Sequence, residues 1–250
     1  MSSQIKCIRP SNLNTDTISS WFSLRNQELV HPNKKIAGLN LGLNTSEDDD
    51  IVFANREELL DEIGVEVHEI AYAIQVHGTS IKVVDQGGTF PNTDGFVCNT
   101  PGLALTIQVA DCAAVLLGDD KNEVIGAAHA GWRGAAGDIV PKTIQEMKQL
   151  GADPKAIKAF ISPCISLKNF EVGEEVAVEF PDAFVDRTNY AKPHVDLKAF
   201  LKHQLIETGV PELQISIDEH CTIANEDFYS YRRQKGESGR MMGIIKLNKQ

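Results

Sequence analysis

Two apolar runs in the middle of the chain, residues 103–109 and 124–129, carry almost no polar alternation. A strand covered on both faces has no solvent side to display, so such runs read as buried strands. Shorter runs at 157–161, 213–217 and 242–247 are further strand candidates. Helical signals fall between them. Over residues 47–63, Ser46 can cap a helix, Glu47, Asp48, Asp49 and Asp50 load its first turn against the dipole, and Gly64 stops it. That acidic run is therefore expected to open a helix rather than to cage a metal. A second helix follows Asp138 as its cap, with Val140, Ile144 and Met147 on its apolar face and Gly151 at its close. A third starts near Asp196, lines up Leu197, Phe200, Leu201 and Leu205, and ends at Gly209. Helix and strand signals alternate with no repeat, low-complexity tract or long linker. The expected fold is mixed α/β (α+β), a mixed β-sheet flanked by helices, in a single domain over residues 1–250.

Charge narrows the partners. Lys and Arg total 24 against 35 Asp and Glu, a net charge of −11 over 250 residues. Such a chain repels nucleic-acid backbones and anionic membranes, although a few arginines in one pocket can still draw a small anion. The longest apolar stretch, residues 103–117, is broken by Gln108 and Asp111 and is too short to span a bilayer. The first ten residues lack the apolar core of a signal peptide. Five cysteines, an odd number with no CxxC pair, do not suggest a disulfide framework. A cytoplasmic protein, a monomer or weak homo-oligomer, is expected.

Three side chains carry candidate chemistry. His129 ends an apolar strand and opens the glycine-rich turn Ala130-Gly131-Trp132-Arg133-Gly134. Cys112 follows the other apolar run beside Asp111, and His77 stands in Gln75-Val76-His77-Gly78. Two imidazoles and a thiolate suit Zn²⁺, with the fourth position left to water in a catalytic site. Their spacing shows no local pairing, so a buried thiol, a hydrogen-bonded strand-end histidine and a simple His-Gly turn stand beside the metal.

Several segments resemble the YfiH family, also called the laccase-domain or purine nucleoside phosphorylase-like family. They are Asn40-Leu41-Gly42-Leu43, Asn55-Arg56, Gln75-Val76-His77-Gly78, Thr93-Asp94-Gly95, Ala110-Asp111-Cys112 and His129-Ala130-Gly131-Trp132-Arg133-Gly134. Ser162-Pro163-Cys164-Ile165, Phe170-Glu171-Val172-Gly173, Cys221-Thr222, Ser230-Tyr231-Arg232-Arg233 and Gly239-Arg240 continue the series in order. The resemblance implies His77, Cys112 and His129 as metal ligands. It also implies phosphorolysis of adenosine, inosine, guanosine or methylthioadenosine, with deamination of adenosine at the same site. The small-molecule partners are then a purine nucleoside and phosphate. Where the family carries an Arg in a glycine-paired segment, this chain has Leu24-Arg25-Asn26-Gln27-Glu28 without the glycines.

Arg25 is the expected phosphate contact, because a guanidinium matches phosphate in two prongs; a surface ion pair is its structural alternative. Asp111 is the expected proton carrier in deamination, with a hydrogen bond to a turn backbone as its alternative. Two rival chemistries use the same residues. A cysteine hydrolase would take Cys112 as nucleophile and His129 as base. A copper-dependent polyphenol oxidase would need several coppers, which seven histidines without a His-x-His pair do not supply. A single Cu²⁺ replacing Zn²⁺ is compatible with such an N/S site.

Overall fold

The computed structural model describes residues 5–29 and 33–249. Its strands divide between two six-stranded sheets rather than forming one. The first sheet runs β1 (Cys7–Ile8), β2 (Ile18–Ser23), β14 (Met241–Leu247), β7 (Ala104–Val109), β3 (Ile70–Ile74), β5 (Gly88–Pro91). The second runs β13 (Ile215–Ile217), β10 (Lys158–Ile161), β8 (Ala113–Asp119), β9 (Val124–Ala130), β6 (Gly95–Cys98), β4 (Ile81–Val83). Both sheets are mixed. In the first, β3 pairs in parallel with β5 and β7 while β7–β14–β2–β1 is antiparallel. In the second, β10, β8, β9 and β6 are antiparallel and the two edge strands parallel to their neighbours. A small ribbon, β11 (Val185–Asp186) with β12 (His194–Val195), lies outside both.

The sheets pack face to face, and helices cover their outer faces. Phe22, Leu105, Ile107 and Ile245 of the first sheet meet Phe96, Leu116, Ile125 and Phe160 of the second in one buried layer. The alternate side chains of the same strands point outward. Trp21, Ala104 and Ile244 pack with Leu59 and Leu60 of α1 (Asp49–Ile63). Val115, Leu117 and Ala128 pack with Ile144 and Met147 of α3 (Ile139–Gln149) and with Leu201 and Leu205 of α5 (Leu197–Glu207). Both sides of each central strand are therefore apolar, which is why 103–109 and 124–129 show no alternation. Three short helices complete the set: α2 (Trp132–Ala136), α4 (Glu174–Ala177) and α6 (Tyr231–Gln234).

The helix ends correct two details. Asp48, not Ser46, is the cap residue of α1; Ser46 Oγ donates to Gly236 O at 3.1 Å. Glu47 turns inward, accepting from the backbone N–H groups of Lys35 and Ile36 at 3.1 and 2.9 Å. Asp49 and Asp50 do occupy the first turn, and Gly64 closes the helix at φ 67°. Asp138 precedes α3 in the left-handed region at φ 63° without a side-chain cap bond; its Oδ1 accepts from Gln204 Nε2 instead. Asp196 caps α5 as expected, accepting from Ala199 N at 3.0 Å.

The topology has one consequence for chemistry. The connections β3–β4, β5–β6 and β7–β8 all cross from the first sheet to the second. Because β3, β5 and β7 are parallel, the three crossings leave the first sheet at the same end. The second sheet's pairing brings the starts of β4, β6 and β8 to that end together with the finish of β9.

Ile107 is fully buried between the sheets. Ile107→Ala is expected to lower unfolding stability by about 2–5 kcal/mol in denaturant titration, since the two sheets cannot close the cavity without moving against each other.

Candidate metal centre and cleft

His77 lies on the first crossing, Asp94 on the second and Cys112 on the third. His129 sits one residue from the end of β9, opposite Ala114 of β8. The nitrogens of His77 and His129 and the sulfur of Cys112 all fall within 4.8 Å of one another. The two imidazoles meet edge to face, with ring centroids 4.8 Å apart. Among the described residues this is the one group of three or more His, Cys, Asp or Glu side chains placed to hold an ion; His31 lies outside them.

Asp94 organises the group. It is fully buried, and one carboxylate accepts from His129 Nδ1 at 2.9 Å and from the backbone N–H groups of His77, Gly78 and Val76 at 3.0, 2.8 and 3.3 Å. Its carbonyl also accepts from His129 N at 2.7 Å. Burial alone would push this carboxyl up, but the imidazole and the N–H groups outweigh it and hold it below its ordinary range. Binding Nδ1–H to the carboxylate leaves His129 Nε2 as the nitrogen free for a metal, the outer-shell arrangement that fixes a ligand's tautomer. The same oxygens tie down the His77 turn, where His77 is held at φ 59°. A left-handed conformation at a non-glycine residue persists only where surrounding bonds impose it. Asp94 is the residue that sequence reasoning missed. Thr93-Asp94-Gly95 was visible as a motif, but it reads as a turn until the strand order sets it behind two imidazoles.

Cys112 follows a second left-handed residue, Asp111 at φ 78°. Burial would raise its thiol, yet His129, and then His77, bring it down to about 6. Burial conversely lowers His129, and the thiolate and Asp94 together raise it to about 9. The chain is tight here: a methyl group on Gly131 would stand 2.8 Å from Cys112 Sγ, so glycine is needed where the β9–α2 turn passes the thiol. A soft sulfur with two imidazoles, one oriented by a carboxylate, fits a single borderline ion such as Zn²⁺ or Cu²⁺.

The group forms part of the wall of a cleft of about 710 Å³. Five basic side chains line it, Arg56, Arg133, Arg232, Lys235 and Arg240, and among the described residues none forms an ion pair with a carboxylate. Asp111 also lines the cleft, but both its oxygens are engaged: Oδ1 accepts from Thr222 Oγ1 and Oδ2 from Arg232 N, each at 2.7 Å. It ties the Cys112 turn to two later segments. Arg25 does not line the cleft. Its guanidinium stands 5.4 Å from the Tyr229 ring and Nε donates to Ala37 O at 3.4 Å. Arg133, stacked 4.2 Å over Trp132, makes no side-chain hydrogen bond among the described residues and does face the cleft.

Asp94→Asn should weaken metal binding by about 10–100-fold in a chelator competition, since the amide can no longer serve the imidazole and three N–H groups at once. Unchanged affinity would show that the turn holds itself.

Comparison with known proteins agrees with this architecture. The model of the family described as multi-copper polyphenol oxidoreductase laccase matches residues 19–248. A purine nucleoside phosphorylase of Corynebacterium glutamicum is 38% identical over 222 residues, covering 86% of this chain and 89% of that protein. Another from Deinococcus radiodurans is 40% identical over 214 residues, covering 84% and 83%. Among solved structures, YlmD from Geobacillus stearothermophilus aligns with a TM-score of 0.88 and 26% identity, covering 100% of this chain and 98% of that one. The YfiH protein of Bacillus licheniformis aligns at 0.85 with 28% identity, covering 92% and 93%. Matched by the family's model and by these relatives over most of its length, the chain belongs to the laccase-domain, YfiH family.

Proposed function

We propose that this chain is a metal-dependent purine nucleoside enzyme that cleaves the N-glycosidic bond with phosphate and deaminates adenosine in the same cleft. One observation carries the reading: two imidazoles and a thiolate stand in the wall of a cleft whose only carboxylate among the described residues, Asp111, is already committed to hydrogen bonds. The cleft's other charged groups are cations without carboxylate partners, which suits an anionic co-substrate. The relatives named as purine nucleoside phosphorylases supply the substrate class, with adenosine, inosine, guanosine and methylthioadenosine as its candidates.

In phosphorolysis a phosphate oxygen bonds to the ribose C1′ while the bond from C1′ to the purine nitrogen breaks. The electron pair leaves with the base, the hydrogenphosphate proton ends on the purine, and ribose 1-phosphate is the second product. Guanidinium groups hold and orient the phosphate against C1′. Trp132, Phe170 and Tyr231 give the cleft apolar and aromatic wall for a base and a ribose. Asp111 acts through position, by fixing the turn that carries Cys112. When bound at His77, Cys112 and His129, the ion supplies Lewis acidity and a water of lowered pKa. Deamination consumes one water and exchanges the 6-amino group of adenosine for oxygen, releasing ammonia. A reducing cytoplasm, which keeps the thiol reduced, fits all five cysteines being free.

The family description names a multi-copper oxidase, but one three-ligand group suits one ion rather than four. A cysteine hydrolase has a specific observation in its favour, because Cys112, His129 and Asp94 are disposed as nucleophile, base and orienting acid. The second imidazole, His77, has no task in that triad and every reason to stand beside a metal.

The zinc-loaded protein incubated with adenosine should release adenine and ribose 1-phosphate only when phosphate is present, and inosine without it, as read by chromatography. Cys112→Ala and His129→Ala should each lose the ion and both reactions. Turnover retained in the metal-free variants would overturn the metal-dependent reading, and rapid alkylation of Cys112 in protein carrying no metal would favour the hydrolase.

A further inference from the structure

Two segments singled out in the sequence, Asn40-Leu41-Gly42 and Asn55-Arg56, have no role in the metal centre. The fold interlocks them with Arg240. Fully buried Asn40 accepts from Gly42 N at 3.0 Å and Arg240 N at 2.9 Å through Oδ1, and its carbonyl accepts from Asn55 Nδ2 at 2.8 Å. Leu41 N donates to Arg240 O at 3.1 Å, and Leu41 O accepts from Arg56 Nε at 2.9 Å. The Arg240 stem lies so close over Gly42 that a methyl group there would stand 2.4 Å from Cγ. Both arginines are thus fixed by one short backbone segment, and both line the cleft.

Their charged ends are not satisfied. Arg56 is 7% exposed and lies 4.4 Å over the Tyr72 ring, yet neither terminal nitrogen has a hydrogen-bond partner among the described residues. Arg240 spends Nη1 on the carbonyls of Ser238 and Gly239, at 2.8 and 2.9 Å, and leaves Nη2 and Nε without a partner there. Among the described residues neither has a carboxylate within ion-pair distance. Arg240 lines the same cleft as the metal ligand Cys112, together with Asp111 and Tyr231. Each guanidinium thus keeps unfilled N–H donors in the lining of the cleft, where an anion can take them in charge-assisted hydrogen bonds.

We infer that Arg56 and Arg240, presented by the Asn40–Gly42 segment, form a preorganised binding site for a phosphate dianion, and that inorganic phosphate occupies it as co-substrate. This rests on the phosphorolytic reading above and assigns that reaction's anion to named donors. The segment holds the two guanidinium groups at fixed positions before the ligand arrives, so little side-chain freedom is lost on binding. Tyr72 beneath Arg56 keeps the guanidinium plane from turning away.

The test compares zinc-loaded wild type, Arg240→Met and Arg56→Lys by calorimetric titration with inorganic phosphate, with adenosine 5′-monophosphate as the second ligand, and by KM for phosphate and for nucleoside. Each variant should weaken phosphate binding, and raise the phosphate KM, by about tenfold to a hundredfold, the value of one charged hydrogen-bonding arm. The nucleoside KM and zinc content should hold. Should Arg56→Lys fail to fold, the less buried Arg240→Met carries the test alone. Equal phosphate affinity in wild type and variants, or a parallel rise in both KM values, would overturn the site. Arginine-dependent binding of the monophosphate but not of inorganic phosphate would overturn the co-substrate assignment. Arginine-dependent phosphate binding without nucleoside turnover would keep the site and sink the phosphorolytic reading, so the two failures are distinct.

Discussion

A single buried carboxylate fixes where this fold can do chemistry. The chain crosses from the first sheet to the second three times at one end, and each crossing needs backbone bonds that regular strands no longer provide. Asp94, on the middle passage, supplies them to the first passage through three N–H groups and to β9 through the His129 ring. A carboxylate taken out of water is costly unless its lone pairs are filled, and here four donors fill them. The bonds that stabilise the crossing also aim the imidazoles. Strain collects beside them, with His77 and Asp111 both left-handed next to the point where ligands converge. Stability and site geometry at this end are one set of interactions.

The electrostatics of the cleft run against those of the molecule. A chain of net charge −11 concentrates five cations without carboxylate partners in one cavity and engages the cavity's sole carboxylate, among the described residues, in other hydrogen bonds. Elsewhere several basic groups pair with carboxylates, as Lys158 does with Asp120 and Lys192 with Glu171. Surface pairs of that kind contribute little. The unpaired arginines of the cleft answer to a ligand. The acidic exterior and cationic pocket together favour a small anion over an extended polyanion.

Much of the fold was legible because burial on both faces leaves a plain mark in the sequence. Residues 103–109 and 124–129 became central strands, and the interruption at Asp111 in the long apolar stretch proved to be the passage from one sheet to the other. Division into two sheets was not legible, since a continuous apolar strand gives no sign of what covers each face. Helix caps were readable to within two residues, but side chains at those caps took longer-range partners: Glu47 turned inward and Asp138 bonded Gln204. The three ligand types stood out by residue chemistry and by family resemblance, and the fold brings them together. The placement of Arg25 against Tyr229, outside the cleft lining, was not legible, because that ring neighbour lies far along the chain. Arg56 and Arg240 could not be paired from the sequence, because only the Asn40–Gly42 segment joins them.

The proposed chemistry requires one divalent ion where the three crossings and β9 converge. Crystals of the purified protein measured on both sides of the zinc absorption edge would test it most directly. A single anomalous peak per chain is expected, bounded by His77, Cys112 and His129 and open toward the cleft. No peak at that position, or a peak held by other residues, would contradict it.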